Sequence, residues 1–220
     1  MNTFSRELIP AAPDISYESP LWAEGWQVAG VDEAGRGAWA GPVTAAAVIL
    51  PHDPGLLRQL DGVRDSKQLK PAERQKFAAI ICDSATAWGV GAASNAEIDR
   101  LGIIAATRLA MVRALQVLSS PADYLLLDAM FLPENSLPQI ALVKGDQRSI
   151  SIAAASILAK TSRDAWMIEI SKTFTDYGFE RHKGYGTRQH QCALVEHGPC
   201  ALHRSSFSPI KSIIKNKRED

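Results

Sequence analysis

The sequence predicts an α/β fold organised as one principal domain, and three observations carry that reading. Strongly apolar runs of strand length recur along the chain, separated by longer segments of helical character. Three of those runs lead into carboxylates at their C-terminal ends, the edge at which sites gather in open α/β sheets. The length, 220 residues, suits one large domain with a sizeable core rather than several small ones.

Taken in order, residues 1–25 carry Pro10, Pro13 and Pro20 with little periodicity, and read as a mostly irregular N-terminal extension. The domain proper is expected over 26–200. A strand from Trp26 to Val31 runs into Asp32-Glu33-Ala34-Gly35-Arg36-Gly37. A second strand, Val43 to Leu50, is continuously apolar between Pro42 and Pro51, as befits a strand buried on both faces, and pairs with the first as a hairpin. Asp65-Ser66-Lys67-Gln68-Leu69 forms a loop before an amphipathic helix over 71–81, with Pro71 in its first turn. A third strand is predicted over 87–93. Ser94-Asn95 then caps a helical region over 96–118 that breaks at Gly102. Tyr124-Leu125-Leu126-Leu127 delivers Asp128, and a short strand over 140–143 leads into Lys144-Gly145-Asp146. The alanine-rich stretch 149–167 reads as a long helix whose small residues admit a neighbouring backbone, with Ser156 and Lys160 one turn apart. A glycine-rich loop over 177–187 interleaves Arg181 and Lys183 with Tyr185, and a helix follows over 188–196. Residues 201–220 end the chain as a short basic helical segment past Pro209.

Composition narrows the function classes. With 24 basic and 24 acidic residues the formal net charge is zero, so local distribution decides whether nucleic acid is a partner. Between Lys144 and Arg188 eight basic side chains stand against five acidic ones, and the C-terminus continues the basic trend. Cys82, Cys192 and Cys200 are odd in number and form no CxxC pair, which reads as reduced thiols. The first residues lack a leader's basic start and apolar run, and no apolar stretch reaches the length of a membrane span. The expectation is a cytoplasmic protein without membrane association.

Adjacent acids at the end of a buried strand repel each other and resist desolvation, and a divalent cation is their usual compensation. The flanking glycines let backbone N–H groups face a ligand closely. A lone Asp-Glu pair is also compatible with a solvated turn. Asp128 reads equally as a capping residue, Ser156 and Lys160 as a polar helix face, and Tyr185 as a packed loop aromatic. The histidines at 182, 190, 197 and 203 lack the cysteine pair or tight spacing of a zinc framework.

Several blocks together resemble ribonuclease HII, the bacterial enzyme that cuts RNA embedded in DNA. They are Asp32-Glu33-Ala34-Gly35-Arg36-Gly37 with Gly41-Pro42-Val43, then Asp65-Ser66-Lys67 with Leu69, then Lys144-Gly145-Asp146. Next come Ile152 to Lys160 with Arg163-Asp164, the 177–187 loop, and His203-Arg204-Ser205-Ser206-Phe207. The resemblance implies a ribonuclease H-like fold: a central mixed five-stranded sheet flanked by helices, with a small helical C-terminal part. It implies that Asp32, Glu33, Asp128 and Asp146 form the catalytic, metal-holding site for two Mg²⁺ or Mn²⁺ ions, one activating water and one stabilising the leaving 3′-oxygen.

The substrate would be an RNA–DNA hybrid, or duplex DNA with an embedded ribonucleotide, cut on the 5′ side of the ribonucleotide to leave 3′-hydroxyl and 5′-phosphate ends. By the same resemblance Gly35, Arg36 and Gly37 contact the 2′-hydroxyl and Tyr185 stacks on the neighbouring deoxyribose. Lys67, Ser156 and Lys160 position phosphates. The biological role would be ribonucleotide removal from DNA by a monomer.

Two departures stand out. Ala38-Trp39 replaces the family's common Pro and aliphatic residue, and Ala129-Met130 follows Asp128 where Gly is frequent. The related ribonuclease HIII fits less well, because Gly-Arg-Gly is present and the N-terminal extension is short. A transposase- or resolvase-like nuclease would share the clustered acids without needing a sugar reader. A non-cutting hybrid-binding module would not need all four acids.

Overall fold

The computed structural model describes residues 9–53, 55–63, 66 and 69–216. One sheet holds strands β1 (Val28–Ala34), β2 (Val43–Ile49), β3 (Ala87–Ala93), β4 (Tyr124–Asp128) and β5 (Gln139–Leu142). Their order is β3-β2-β1-β4-β5. The first three strands form an antiparallel meander, whereas β1, β4 and β5 run parallel, so the sheet is mixed as expected.

Helices α1 (Glu18–Ala23), α2 (Leu56–Gln59), α3 (Pro71–Ser84), α4 (Asn95–Leu101), α5 (Ile103–Gln116), α6 (Ile150–Ser171), α7 (Phe179–His182), α8 (Arg188–His197) and α9 (Ile210–Asn216) complete the described chain. None of them is long and apolar enough to cross a membrane.

Strand alternation explains the layering. In β2 every residue is buried. Ala45, Ala47 and Ile49 pack with Ala106, Ala110 and Met111 of α5, while Ala46 and Val48 pack with α3 and α6. Side chains of opposite parity thus feed two cores on the two faces of the sheet. Helix α6 approaches β1 closely enough that a Cβ on Gly30 would stand 2.1 Å from the Ser151 carbonyl carbon. Only glycine permits that approach, which sets α6 directly over the strand that carries Asp32.

Several boundaries differ from expectation for identifiable reasons. Strand β1 starts two residues late and continues through Asp32, Glu33 and Ala34, because Glu33 pairs with Ala45 and Ala34 with Thr44 of β2. The acids therefore lie within the strand end and not beyond it. As expected, the helical region after Ser94 divides at Gly102, whose φ of 79° ends α4.

The described part of the N-terminal extension carries one short helix, α1, and packs onto the domain. Asp14 bridges to Ser149, and α1 buries Glu18, whose carboxylate accepts from Ser149 Oγ at 2.5 Å and the Ser151 amide at 3.0 Å. Burial raises the Glu18 pKa. This acid satisfies the first turn of α6, just after the turn that carries Asp146.

Candidate active site

Parallel pairing gathers the acids. Val31 of β1 lies opposite Leu127 of β4, so Asp32 and Asp128 come next along neighbouring strands. Asp128 in turn pairs with Leu142 of β5, after which the chain bends through Lys144 into a 3₁₀ turn, Gly145–Gln147, carrying Asp146. The Gly145 amide donates to Asp128 Oδ1 at 2.7 Å and ties that turn to β4. Asp32 and Asp146 are buried, and Glu33 and Asp128 are partly exposed. Glu33 Oε1 accepts from Arg36 Nη1 at 3.1 Å, and Asp32 Oδ1 accepts from the Glu33 amide at 2.7 Å.

The four acids feel one another. Burial pushes the Asp32 pKa well above the ordinary carboxylate range, and the charges of Glu33, Asp128 and Asp146 push the same way; a hydrogen bond with Ser156 opposes them. Clustered, desolvated carboxylate oxygens are the donor set that hard divalent cations take. As the side chains stand, however, no three His, Cys, Asp or Glu residues among those described are grouped to hold an ion. Glu33 is engaged with Arg36 and Asp128 with the Gly145 amide, each through one carboxylate oxygen.

Beside the acids lies a cavity of about 560 Å³, lined by Glu33, Arg36, Gly37, Asp128, Lys160 and Tyr185 among others. A second, of about 590 Å³, continues it past Lys160 and Tyr185 to Arg181 and Lys183, making one groove with a cationic wall. Gly35 has φ of 92°, and a Cβ there would meet Arg163 Nε at 2.0 Å, so the turn accepts no side chain at this position. Lys160 Nζ pairs with Asp164 at 2.8 Å and lies 5.3 Å from the Tyr185 ring centre.

Not every expected residue faces the groove. Ser156 is buried; its hydroxyl lies 3.0 Å from Ser66 Oγ and hydrogen-bonds Asp32, because α6 turns that face onto β1. The hydroxyl is thus directed at Asp32 and Ser66. Lys67 lies outside the described residues.

Sequence reasoning missed three features. Arg163 and Arg204 are wholly buried behind the Gly35–Gly37 turn. His182 stacks on His190 at 4.5 Å, and His190 Nε2 lies 3.0 Å from His203 Nε2. Burial lowers the pKa of His190 and of His203 to about 4. These rings form a packed cluster beneath the Tyr185 loop, where His190 Nδ1 meets the Tyr185 carbonyl at 3.1 Å. Lastly, among the described residues three non-glycines have positive φ, Ala129, Lys144 and Lys183, each within two residues of Asp128, Asp146 or Tyr185. Their only sequence signal was Ala129 standing where glycine is frequent.

A family model, ribonuclease HII, matches residues 29–210. The chain belongs to the ribonuclease HII family. A ribonuclease HII of Chloroflexus aurantiacus is 51% identical over 202 residues, covering 90% of this chain and 94% of that protein. One from Moorella thermoacetica is 55% identical over 181 residues, covering 82% and 86%. Among solved structures, ribonuclease H2 from Pyrococcus horikoshii OT3 superposes with a TM-score of 0.74 at 26% identity, covering 88% of this chain and 99% of that one. The chain is accordingly a hydrolase, an endonuclease of the ribonuclease H type, and its mixed five-stranded sheet is that of the ribonuclease HII fold.

Proposed function

We propose that this ribonuclease HII cuts duplex DNA on the 5′ side of an embedded ribonucleotide, leaving 3′-hydroxyl and 5′-phosphate ends, and thereby serves ribonucleotide removal. The observation that carries the reading is one cavity bordered by acids on one side and by the Arg36–Gly37 turn and Tyr185 on the other. Asp32, Glu33, Asp128 and Asp146 are the residues that would hold divalent ions. When bound, two such ions, Mg²⁺ or Mn²⁺, supply an activated water and stabilise the leaving oxygen.

The chain's own groups do the rest. The bond between Gly145 and Asp128 and the bond between Ser156 and Asp32 orient two of the acids. The Arg36–Gly37 amides and the Tyr185 ring favour a sugar bearing a 2′-hydroxyl, the group that tells RNA from DNA. Lys160 places cationic charge along the groove for phosphates. Lys67 is proposed for the same task on sequence resemblance alone.

The test is a pair of duplexes of one sequence, one all-DNA and one with a single ribonucleotide, incubated with Mg²⁺ or Mn²⁺. Cutting of the second alone, with the nick mapped 5′ to the ribonucleotide, is expected. Equal cutting of both would favour a nuclease indifferent to the sugar.

A further inference from the structure

Two side chains behind the sugar-reading turn have no part in the chemistry above. Arg163 of α6 and Arg204 after α8 are both 0% exposed. Burying two guanidinium groups near each other is unfavourable unless they are hydrogen-bonded, and here main-chain oxygen meets all three nitrogens of each. Arg204 donates from Nη1 to the Arg36 carbonyl at 2.8 Å, from Nη2 to Gly35 at 2.8 Å and Pro42 at 3.0 Å, and from Nε to Gly41 at 3.0 Å. Arg163 donates from Nε to Pro42 at 2.9 Å, from Nη2 to Ala40 at 3.1 Å and from Nη1 to Lys183 at 3.0 Å.

Every acceptor but one thus falls between Gly35 and Pro42. The exception lies two residues before Tyr185, whose ring centre is 5.3 Å from Arg163 Cζ. The pair therefore joins the two segments that line the reader side of the cavity.

The direction of those carbonyls matters. In a planar trans peptide the N–H points opposite to the C=O. Drawing the Gly35 and Arg36 carbonyls onto Arg204 turns the amides of Arg36 and Gly37 the other way, away from the buried guanidinium. Both residues line the cavity, and among the described residues neither amide meets an acceptor.

We propose that Arg163 and Arg204 are positioning residues for sugar recognition: they fix the Arg36 and Gly37 amides and the Tyr185 ring in one geometry, and so set the preference for a ribonucleotide over a deoxyribonucleotide. The inference rests on the sugar-reading function proposed above. A lysine cannot stand in, because one ammonium nitrogen does not span acceptors that a planar fork reaches from three nitrogens.

The test compares the unaltered protein with Arg204→Lys and, separately, Arg163→Lys. Each is examined by thermal melting, by Mn²⁺ binding, and by affinity for the paired duplexes with Ca²⁺ replacing the catalytic ion so that nothing is cut. Both variants are expected to fold and to bind Mn²⁺ as before. They should hold the all-DNA duplex within about twofold of the unaltered protein, since phosphate contacts are untouched. Their preference for the ribonucleotide duplex should fall by about tenfold or more.

Equal weakening on both duplexes, or an unchanged preference in a folded variant, overturns the proposal. Absence of any preference in the unaltered protein contradicts the sugar-reading function itself. Should a variant not melt cooperatively, amide exchange in the unaltered protein decides. The Arg36 and Gly37 amides should exchange rapidly when free and become protected by the ribonucleotide duplex but not by the all-DNA duplex; protection in the free protein contradicts the outward orientation.

Discussion

The acids at the strand ends and the arginines behind the turn are both clusters of like charge taken out of water, and they are compensated in opposite ways. Arg163 and Arg204 are met by carbonyls of the chain itself, at 2.8 to 3.1 Å. Asp32 keeps a raised pKa, because burial and its acidic neighbours outweigh the hydrogen bond from Ser156. One cluster closes its electrostatics within the fold and rigidifies a turn. In the other, the raised pKa of Asp32 marks an unfinished balance, which the proposed cation would complete.

Substitutions should therefore act with opposite sign at the two places. Asp32→Asn is expected to lower cleavage of the ribonucleotide duplex by about 10³-fold or more, since a carboxylate proposed to hold metal is lost. The same change should raise the melting temperature measured without divalent ions, and the gain should grow as pH rises, because ionising Asp32 in the fold is what costs stability. Arg163→Met should instead destabilise the protein by about 3 kcal/mol, as the Ala40 and Lys183 carbonyls lose their donor and Pro42 keeps only Arg204. If chemical denaturation finds both changes destabilising, the contrast between the clusters fails.

The histidine cluster sharpens the comparison. His190 and His203 titrate near pH 4 in the fold, below the ordinary imidazole value, so the native state binds fewer protons than the unfolded chain between those values. Their contribution is present above about pH 6.5 and is lost as pH falls toward 4, on the order of 3 kcal/mol for each ring. His190→Gln should flatten that part of the stability profile in urea titrations run at several pH values.

The smallest expected effect is at Ala129, which holds φ of 53° beside Asp128. Ala129→Gly should relieve left-handed strain of about 1 kcal/mol, raising the melting temperature by roughly 2–4 °C.

Much of this was legible in the chain. The continuous apolar run at β2, the strand over 87–93 and the break at Gly102 declared themselves by pattern, because burial on both faces and a missing Cβ leave direct marks in sequence. The convergence of Asp32, Asp128 and Asp146 followed from strands that end in acids, once those strands run parallel. What was hidden depends on tertiary partners. Strand β1 extends through Glu33 because β2 supplies its ladder, and α1 docks because Glu18 finds Ser149. The inward turn of Ser156 reflects the closeness of α6 to Gly30. Arg163 and Arg204 looked like ordinary basic residues in a mildly basic half, and only their carbonyl partners, distant in sequence, reveal them as buried.

Calorimetric titration of Mn²⁺ into the unaltered protein and into Asp32→Asn tests the cation-compensated cluster most directly. Saturable binding to the unaltered protein, lost or weakened at least about tenfold in the variant, is the predicted result. Equal affinity in the two proteins would contradict it.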